Sequence, residues 1–305
     1  KIAERLGWDQ ETMMPEAAAE QRGEELAAIE GVLHARRTDP RLADWLDAAQ
    51  APDAAGAAIL RELARSYARS VKIPADLAQE LARVTSVAQG VWAKARAADR
   101  VADFAPTLAR VIDLRRQEAA CLAQGGDLYD ALLDDYEPEA TAQSIEAMFD
   151  RMRPRLVALR EAVLSADTPK ALQGSFAKDG QLALAREAAT AFGYDWSRGR
   201  LDLAVHPFSS GGGNDSRITT RVVEADPFNC LYSTIHEVGH SSYELNIDPA
   251  YGMTPLGHGV SMGVHESQSR IYENQIGRSA GFTDWLYHRM VAQFGPLNVE
   301  GPEAF

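Results

Sequence analysis

Cysteine is scarce in this sequence, and long apolar runs and interdomain linkers are lacking. Two cysteines, Cys121 and Cys230, are too few to build a disulfide framework in 305 residues, which predicts reduced thiols in a cytoplasmic protein. No apolar run reaches about 18 residues, the length that predicts a membrane span. A Pro-, Ser- or Gly-rich hinge and a repeat of fixed period are also lacking, so we expect a single domain over residues 1–305.

Basic residues are in short supply as well. Lys and Arg number 31 against 44 Asp and Glu, which gives a formal net charge of −13. Such a chain repels phosphate groups, so we expect neither nucleic acid nor a membrane as its partner. If the substrate carries a carboxylate, an acidic protein must hold it with a few locally placed cations.

Histidine is sparse too, with 7 residues, yet His236 and His240 stand four positions apart in the run HEVGH. At that spacing two imidazoles lie one above the other on one face of a helix, which is the HExxH signature of zinc proteases. Asp226 and Pro227 predict the start of this helix as an N-cap and a first-turn residue. Apolar residues then recur at helical steps and predict its buried stripe: Phe228, Leu231, Ile235, Val238 and Leu245.

Two further residues of HEVGH have predictable roles. Glu237 projects next to the histidine pair, where it can reach a metal-bound water without being a ligand. Gly239 costs about 1 kcal/mol relative to Ala inside a helix. Its presence therefore indicates that another element packs closely against the helix backbone at this point.

A catalytic zinc site usually takes three protein ligands, so a third must lie downstream. The candidates are Glu244, His258, His265, Glu266 and Glu273. The segment HESQSRIYEN at residues 265–274 is unusually polar for a core helix, and a metal with its surrounding hydrogen bonds would partner such groups. We choose Glu266 as the third ligand, with His265 or Glu273 as a group that orients the ligands.

Two segments ahead of this helix alternate with the period of a strand. Leu201, Leu203 and Val205 alternate in the first, and residues 216–223 do so in the second. We expect the loop at 209–214 to join them as an antiparallel pair beside the HExxH helix, forming one wall of the cleft. Arg217 and Arg221 lie on one face of the second strand and could hold a substrate carboxylate.

The remaining chain has helical composition. Apolar residues recur at steps of three and four among Ala, Leu, Glu and Arg in residues 16–36, 41–70, 75–125, 142–166 and 180–193. We expect Pro154 to kink the fourth of these helices or to start a new one. The sequence thus predicts a mainly α protein, with a helical scaffold over 1–195 and a β-hairpin with metal-site helices over 196–305.

Six stretches, in order, resemble the carboxypeptidase Taq family of metallocarboxypeptidases: WDQETMMP at 8–15, HPF at 206–208, DSRIT at 215–219 as the family's DxRxT, HEVGH at 236–240, HESQ at 265–268, and Glu273-Asn274. The resemblance implies a large helical metallopeptidase, usually a homodimer, that removes single residues from the free C-termini of peptides. It also carries the metal ligands onto His236, His240 and Glu266. Its motifs implicate further residues in substrate binding: His206, Asp215, Arg217, Thr219 and His265.

The chemistry expected of these residues is peptide hydrolysis. Zn²⁺, or Co²⁺ as an alternative, lowers the pKa of a bound water, which attacks the scissile carbonyl while Glu237 acts as general base. A zinc endopeptidase or oligopeptidase is the first alternative function. A metal-binding helical scaffold without catalysis, or an inactive fragment, is the second.

This chain also departs from the family pattern. Family members continue through two later motifs, of the forms IRxxAD and GxxQDxHW, which are thought to help bind the substrate carboxylate and the transition state. Neither motif occurs before Phe305, and the chain opens in mid-pattern at Lys1. The resemblance therefore predicts a chain that is truncated at both ends.

Overall fold

The computed structural model describes residues 1–168 and 170–305 and divides into two compact units. One unit comprises Lys1–Asp135 and Ile247–His258, and the other comprises Tyr136–Asn246 and Gly259–Phe305. Within the described residues, no helix combines the length and the apolar character needed to cross a membrane. The assignment of residues 1–305 to a single domain stays a prediction.

The first unit is helical. Its helices are α1 (Ile2–Thr12), α2 (Ala19–Arg37), α3 (Arg41–Ala48), α4 (Ala54–Ser70), α5 (Ala75–Ala97), α6 (Val101–Ala123) and α7 (Leu128–Leu133), with short 3₁₀ helices at Glu16–Ala18, Pro249–Tyr251 and Pro255–Gly257. Its core lies between α5 and α6 and contains Ile73, Leu77, Leu81 and Leu114.

Two of the segments predicted to be helical each contain two helices in the structure. Residues 41–70 form α3 and α4, because Asp53 caps a new helix by accepting a hydrogen bond from the Gly56 amide at 2.7 Å. Residues 75–125 form α5 and α6, and the break falls near Asp99, whose φ of 52° lies in the left-handed region. The two ranges are therefore helical, as predicted, with one short break in each.

The second unit contains the sheet and the HEVGH helix. Its elements are α8 (Ala142–Ser165), α9 (Lys178–Ala191), β1 (Leu201–Leu203), β2 (Ser209–Gly212), β3 (Asp215–Thr220), α10 (Pro227–Leu245), α11 (Met262–Arg270), a π-helical turn (Ile271–Ile276) and α12 (Ala280–Phe294). Helices predominate and a small sheet packs against α10, so the predicted mainly α fold class is confirmed.

The sheet differs from its prediction in direction and in strand number. It has three strands in the order β1-β3-β2, with β1 parallel and β2 antiparallel to β3. The segment predicted to be a loop at 209–214 is largely β2. Gly211 permits this pairing, because its φ is 88° and a Cβ there would lie 2.2 Å from the Asp215 carbonyl oxygen. The expected antiparallel pairing of residues 201–205 with 216–223 was wrong, since alternation reveals strands but carries no information on their direction.

Helix α8 was predicted to kink or restart at Pro154, but it continues through this residue from Ala142 to Ser165. All of its residues are described and none is buried. The apolar side chains at steps of three and four, including Met148, Met152 and Leu156, are exposed. Proline removes one helical hydrogen bond, and a solvent-facing helix can satisfy the freed carbonyl with water.

The core of the second unit is built around α10. Leu231 and Ile235 pack with Leu286 and Met290 of α12, and Val238 packs with Ile218 of β3. Four of the five residues predicted to form the buried stripe are buried, and Phe228 packs at the edge of the same cluster. Because this stripe faces the core, the histidines beside it face an open cavity.

Candidate metal centre

The two histidines of HEVGH are fixed by the start and the packing of α10. Asp226 caps the helix by accepting hydrogen bonds from the amides of Phe228 and Asn229, as the sequence predicts. One turn apart and half-buried, His236 and His240 bring their Nε2 atoms to within 3.2 Å of each other. The helix therefore presents two imidazole nitrogens side by side.

Helix α11 brings a carboxylate to the same point. A Cβ on Gly239 would lie 2.5 Å from Ser269 Cα and 3.0 Å from the Gln268 carbonyl oxygen, so α10 and α11 meet at backbone contact. This confirms the prediction that an element packs against Gly239. The contact places Glu266 Oε2 3.2 Å from His240 Nε2 and 3.5 Å from His236 Nε2.

These three side chains fit a divalent metal. His236, His240 and Glu266 each offer one ligand atom, and all three atoms lie within 4.8 Å of one another. Bond lengths of about 2.0–2.1 Å place the ligand atoms of a tetrahedral zinc site roughly 3.3–3.4 Å apart. The observed separations of 3.2, 3.2 and 3.5 Å lie close to that value. Imidazole and carboxylate ligands suit Zn²⁺ and Co²⁺ alike.

Hydrogen bonds on the far side of each imidazole orient it. His236 Nδ1 lies 2.9 Å from Glu273 Oε2, a residue of the π-helical turn. His240 Nδ1 lies 2.6 Å from His265 Nδ1. Both histidines can therefore carry a hydrogen on Nδ1 and leave the Nε2 lone pair for a metal.

The pKa shifts of His240 and Glu266 favour a neutral imidazole and an ionised carboxylate, which are the forms that bind a metal. Burial, followed by the neighbouring imidazoles of His265 and His236, lowers the pKa of His240 to about 4, so that its ring is neutral. Burial opposes a similar shift at Glu266, but His236 and the hydrogen bonds from Ser269 and Arg270 still lower the pKa of its carboxyl.

Glu237 lines the same cavity as His236, His240 and Glu266. Its side chain is buried, at 5% exposure. Burial, followed by the carboxylates of Glu266 and Glu273, raises the pKa of Glu237 to about 8. A divalent cation at the adjacent ligands would favour the ionised form and lower that pKa. The arrangement thus sets a carboxylate that can accept a proton next to a potential Lewis-acid site.

An open cavity of about 1090 Å³ leads to these residues. Two of the predicted substrate-binding residues, His206 and His265, line it, whereas Asp215, Arg217 and Thr219 are not among its lining residues. Arg217 Nε instead donates to Asp215 Oδ1 at 2.8 Å. The sequence did not single out several other lining residues: Tyr232, Ser233, Arg270, Arg278 and Thr283.

Arg270 carried a usable sequence signal that was missed. It follows Glu266 by four residues, the spacing of a helical ion pair. In the structure it donates to Glu266 Oε1 at 2.8 Å and to Glu273 Oε2 at 3.1 Å. Of the other candidate third ligands, Glu244 and His265 pair with each other at 3.0 Å, Glu273 binds His236 Nδ1, and His258 belongs to the first unit.

Thr219 does not line the cavity, but it binds Phe208, which does. Its buried Oγ1 accepts a hydrogen bond from the Phe208 amide at 2.8 Å and donates to the Phe208 carbonyl at 3.1 Å. These bonds hold the HPF segment, whose His206 and Phe208 line the cavity.

Substituting Thr219→Val keeps the side-chain volume and removes both bonds. We expect the free energy of unfolding to fall by about 1–3 kcal/mol, because the Phe208 amide loses its acceptor. Chemical denaturation measures this, with Thr107→Val on α6 as the matched control. A loss no larger than that of the control would contradict the supporting role of Thr219.

Comparison with known proteins gives consistent matches along the chain. The family model described as carboxypeptidase Taq (M32) metallopeptidase matches residues 1–301. Thermostable carboxypeptidase 1 of Thermus thermophilus is 39% identical over 317 residues, a match that covers 96% of this chain and 62% of that protein.

Solved structures also match this chain over nearly its full length. The crystal structure of a protein named BsuCP is 28% identical, with a TM-score of 0.92, and the match covers 100% of this chain and 63% of that one. The M32 carboxypeptidase from Deinococcus radiodurans R1 is 37% identical, with a TM-score of 0.83, and the match covers 96% of this chain and 60% of that one. The chain therefore spans roughly six tenths of the length of these proteins.

Proposed function

Because this chain belongs to the carboxypeptidase Taq (M32) metallopeptidase family, we propose that its cavity is the active site of a metal-dependent carboxypeptidase. The enzyme hydrolyses the last peptide bond of a peptide with a free C-terminus and releases one amino acid. The observation that carries the proposal is the convergence of His236, His240 and Glu266 beside the buried Glu237 in an open cavity.

The proposed metal is a divalent ion, Zn²⁺ or alternatively Co²⁺, held by His236, His240 and Glu266. Bound there, it would polarise the scissile carbonyl and lower the pKa of a water molecule. The chain's own contribution is to keep both Nε2 lone pairs and the Glu266 carboxylate converged. Glu273 supports this by accepting the hydrogen of His236 Nδ1.

Glu237 is the proposed general base. Its carboxylate accepts a proton from the attacking water as the water oxygen bonds to the scissile carbon. It returns this proton to the amine nitrogen as the carbon–nitrogen bond breaks. The products are a shortened peptide with a new carboxylate and a free amino acid. Burial of Glu237 supports the role, because a partly desolvated carboxylate is a stronger base.

The substrate carboxylate needs a cation within the cavity. Arg221 is better placed than Arg217, because it lines the cavity while Arg217 is paired with Asp215. Arg221 Nε donates to Asn229 Oδ1 at 2.9 Å, which fixes the guanidinium in the cavity wall. We assign the C-terminal carboxylate of the peptide to Arg221 and His206. Asp215, Arg217 and Thr219 do not line the cavity, and we propose that they stabilise the strand that forms its wall. His265 is proposed to orient the metal ligand His240.

The proposal also covers the cellular location, the oligomeric state and the roles of the two parts of the chain. The two cysteines are free, which supports a cytoplasmic location. Resemblance to the family supports a homodimer. Residues 1–195 serve as scaffold and residues 196–305 carry the site, since all residues that line the cavity lie between His206 and Phe305.

Paired peptides test the proposed activity. We expect hydrolysis of a peptide with a free C-terminal carboxylate and no hydrolysis of its C-terminally amidated twin, because only the free form offers the anion that Arg221 and His206 would hold. Amino acid release measured by mass spectrometry distinguishes the two. A chelator should abolish the release, and added Zn²⁺ or Co²⁺ should restore it.

Other outcomes would favour the alternative functions. Equal cleavage of both peptides would favour a zinc endopeptidase or oligopeptidase. One equivalent of bound Zn²⁺ without hydrolysis of either peptide would favour a non-catalytic scaffold.

A further inference from the structure

A chain of hydrogen-bonded side chains runs from His240 away from the ligand cluster. His240 Nδ1 lies 2.6 Å from His265 Nδ1, and His265 Nε2 lies 3.0 Å from Glu244 Oε1. We propose that Glu244 is a positioning residue, which fixes the tautomer and the ring orientation of His240 through His265. The inference rests on the proposed metal site and deepens it, because Glu244 is neither a ligand nor the general base.

The direction of the hydrogen bonds follows from the need for a metal ligand. A ligating imidazole nitrogen must have its lone pair free, so His240 carries its hydrogen on Nδ1. His265 Nδ1 must then be the acceptor, which leaves the hydrogen of a neutral His265 on Nε2. That hydrogen is donated to Glu244 Oε1. One carboxylate thereby selects the tautomers of two successive imidazoles.

The environment of Glu244 favours this role over that of a solvated surface charge. Its side chain is 14% exposed, and in the described part of the chain its ion-pair partner is His265. A mostly desolvated carboxylate gains from a fixed N–H donor. His265 supplies that donor only in the tautomer that can also accept from His240.

Close packing holds both members of the chain in place. A Cβ on Gly212 of β2 would lie 2.8 Å from Glu244 Oε2, and one on Gly259 would lie 2.7 Å from His265 Cδ2. The rings of His265 and His240 are tilted by only 25° from each other, with centroids 4.8 Å apart, and the ring of His265 contacts Tyr243 at 4.9 Å. Glu244 therefore packs closely against Gly212, and His265 packs against Gly259 and the rings of His240 and Tyr243.

The two histidine ligands are therefore oriented by different means. His236 binds the carboxylate of Glu273 directly at 2.9 Å, and Arg270 contacts that same carboxylate at 3.1 Å. On its Nδ1 side, His240 is connected to the carboxylate of Glu244 through His265. Disturbing Glu244 should consequently act on His240 and leave the orientation of His236 unchanged.

Zn²⁺ affinity tests this directly. We expect Glu244→Ala to weaken Zn²⁺ binding by about 10–100-fold, the usual effect of removing a group that orients a ligand. Glu244→Gln should weaken it less, because the amide oxygen still accepts a hydrogen bond. Competition with a chromophoric chelator measures the dissociation constant. Glu224→Gln, at an exposed position of the same unit, is the control for loss of one negative charge.

A second variant moves Glu244 without replacing it. In Gly212→Ala the new methyl group meets the end of the flexible Glu244 side chain, so the carboxylate must shift while the backbone can stay in place. We expect weaker Zn²⁺ binding in this variant. Gly281→Ala on α12 is the matched control, because nothing lies within 4 Å of a Cβ there. Circular dichroism confirms that each variant is folded.

Imidazole ¹⁵N chemical shifts of the Zn²⁺-loaded protein provide a readout that a purely structural role would not change. We expect a single tautomer of His265, protonated on Nε2, in the wild type and a mixture of tautomers in Glu244→Ala. Zinc affinity of Glu244→Ala and Gly212→Ala within twofold of the controls, or an unchanged His265 tautomer, would overturn the inference. A wild type that binds no Zn²⁺ would instead remove the proposed metal site, and neither readout depends on peptide hydrolysis.

Discussion

Replacing Glu237 with Gln should leave Zn²⁺ binding intact and lower kcat for peptide hydrolysis by about 10²–10⁴-fold, the usual contribution of a general base. The two side chains have the same shape, so the buried site that Glu237 occupies is preserved. An amide cannot take a proton from water as a carboxylate does. Because the proposed ligands are His236, His240 and Glu266, the metal should keep all of its protein ligands.

The measurement pairs steady-state kinetics on a free C-terminal peptide with the zinc content of the purified variant. Glu161→Gln on the exposed helix α8 is the matched control and should behave as wild type. Hydrolysis by Glu237→Gln at the wild-type rate would remove Glu237 from the role of base. Parallel loss of zinc and activity would instead assign Glu237 to metal binding.

Most of α10, the helix that carries His236 and His240, could be predicted from sequence because its determinants are local. The Asp226 cap, the apolar stripe and the histidine pair all lie within one continuous segment, and helical periodicity fixes their relative positions. Glu266 was selected by a different argument, the polarity of its segment. The structure brings this residue to the histidines, although its role as a ligand stays a proposal.

The features that the sequence could not predict depend on distant parts of the chain. Strand alternation identified β1 and β3, but their parallel pairing depends on the HPF segment, which crosses from one edge of β3 to the other. The exposure of the apolar side chains of α8 could not be predicted for a similar reason. Its apolar residues have helical spacing, and the sequence alone does not reveal whether another element covers them.

The role proposed for Glu244, which is to position His240 through His265, could not be predicted from the sequence either. Glu244 follows His240 by four residues, which suggests only a neighbour on the same helix face. Its connection to the ligand runs through His265 on α11, 21 positions further along the chain. Only the close approach of α10 and α11 brings these side chains together, and that approach depends on Gly239.

Substituting Gly239→Ala should therefore weaken Zn²⁺ binding by at least about tenfold, comparable to the loss of a group that orients a ligand. The added methyl group would lie 2.5 Å from Ser269 Cα and 3.1 Å from the Ser269 amide nitrogen. Both contacts are with backbone atoms, so no side-chain rotation relieves them and the two helices must move apart. Glu266 and His265 move with α11, which disturbs the third ligand and the orientation of His240 at once.

The stability of the same variant separates this cause from helix propensity. Ala is favoured over Gly inside a helix by about 1 kcal/mol, so Gly90→Ala on α5, where a Cβ would meet nothing within 4 Å, should stabilise the protein. Gly239→Ala should instead lower the free energy of unfolding by about 1–3 kcal/mol, the usual cost of overpacking. Zinc titration and denaturation of both variants measure the two effects. A Gly239→Ala protein as stable as Gly90→Ala, with wild-type zinc affinity, would mean that α10 and α11 tolerate separation, and that close helix contact is not what brings Glu266 to the histidines.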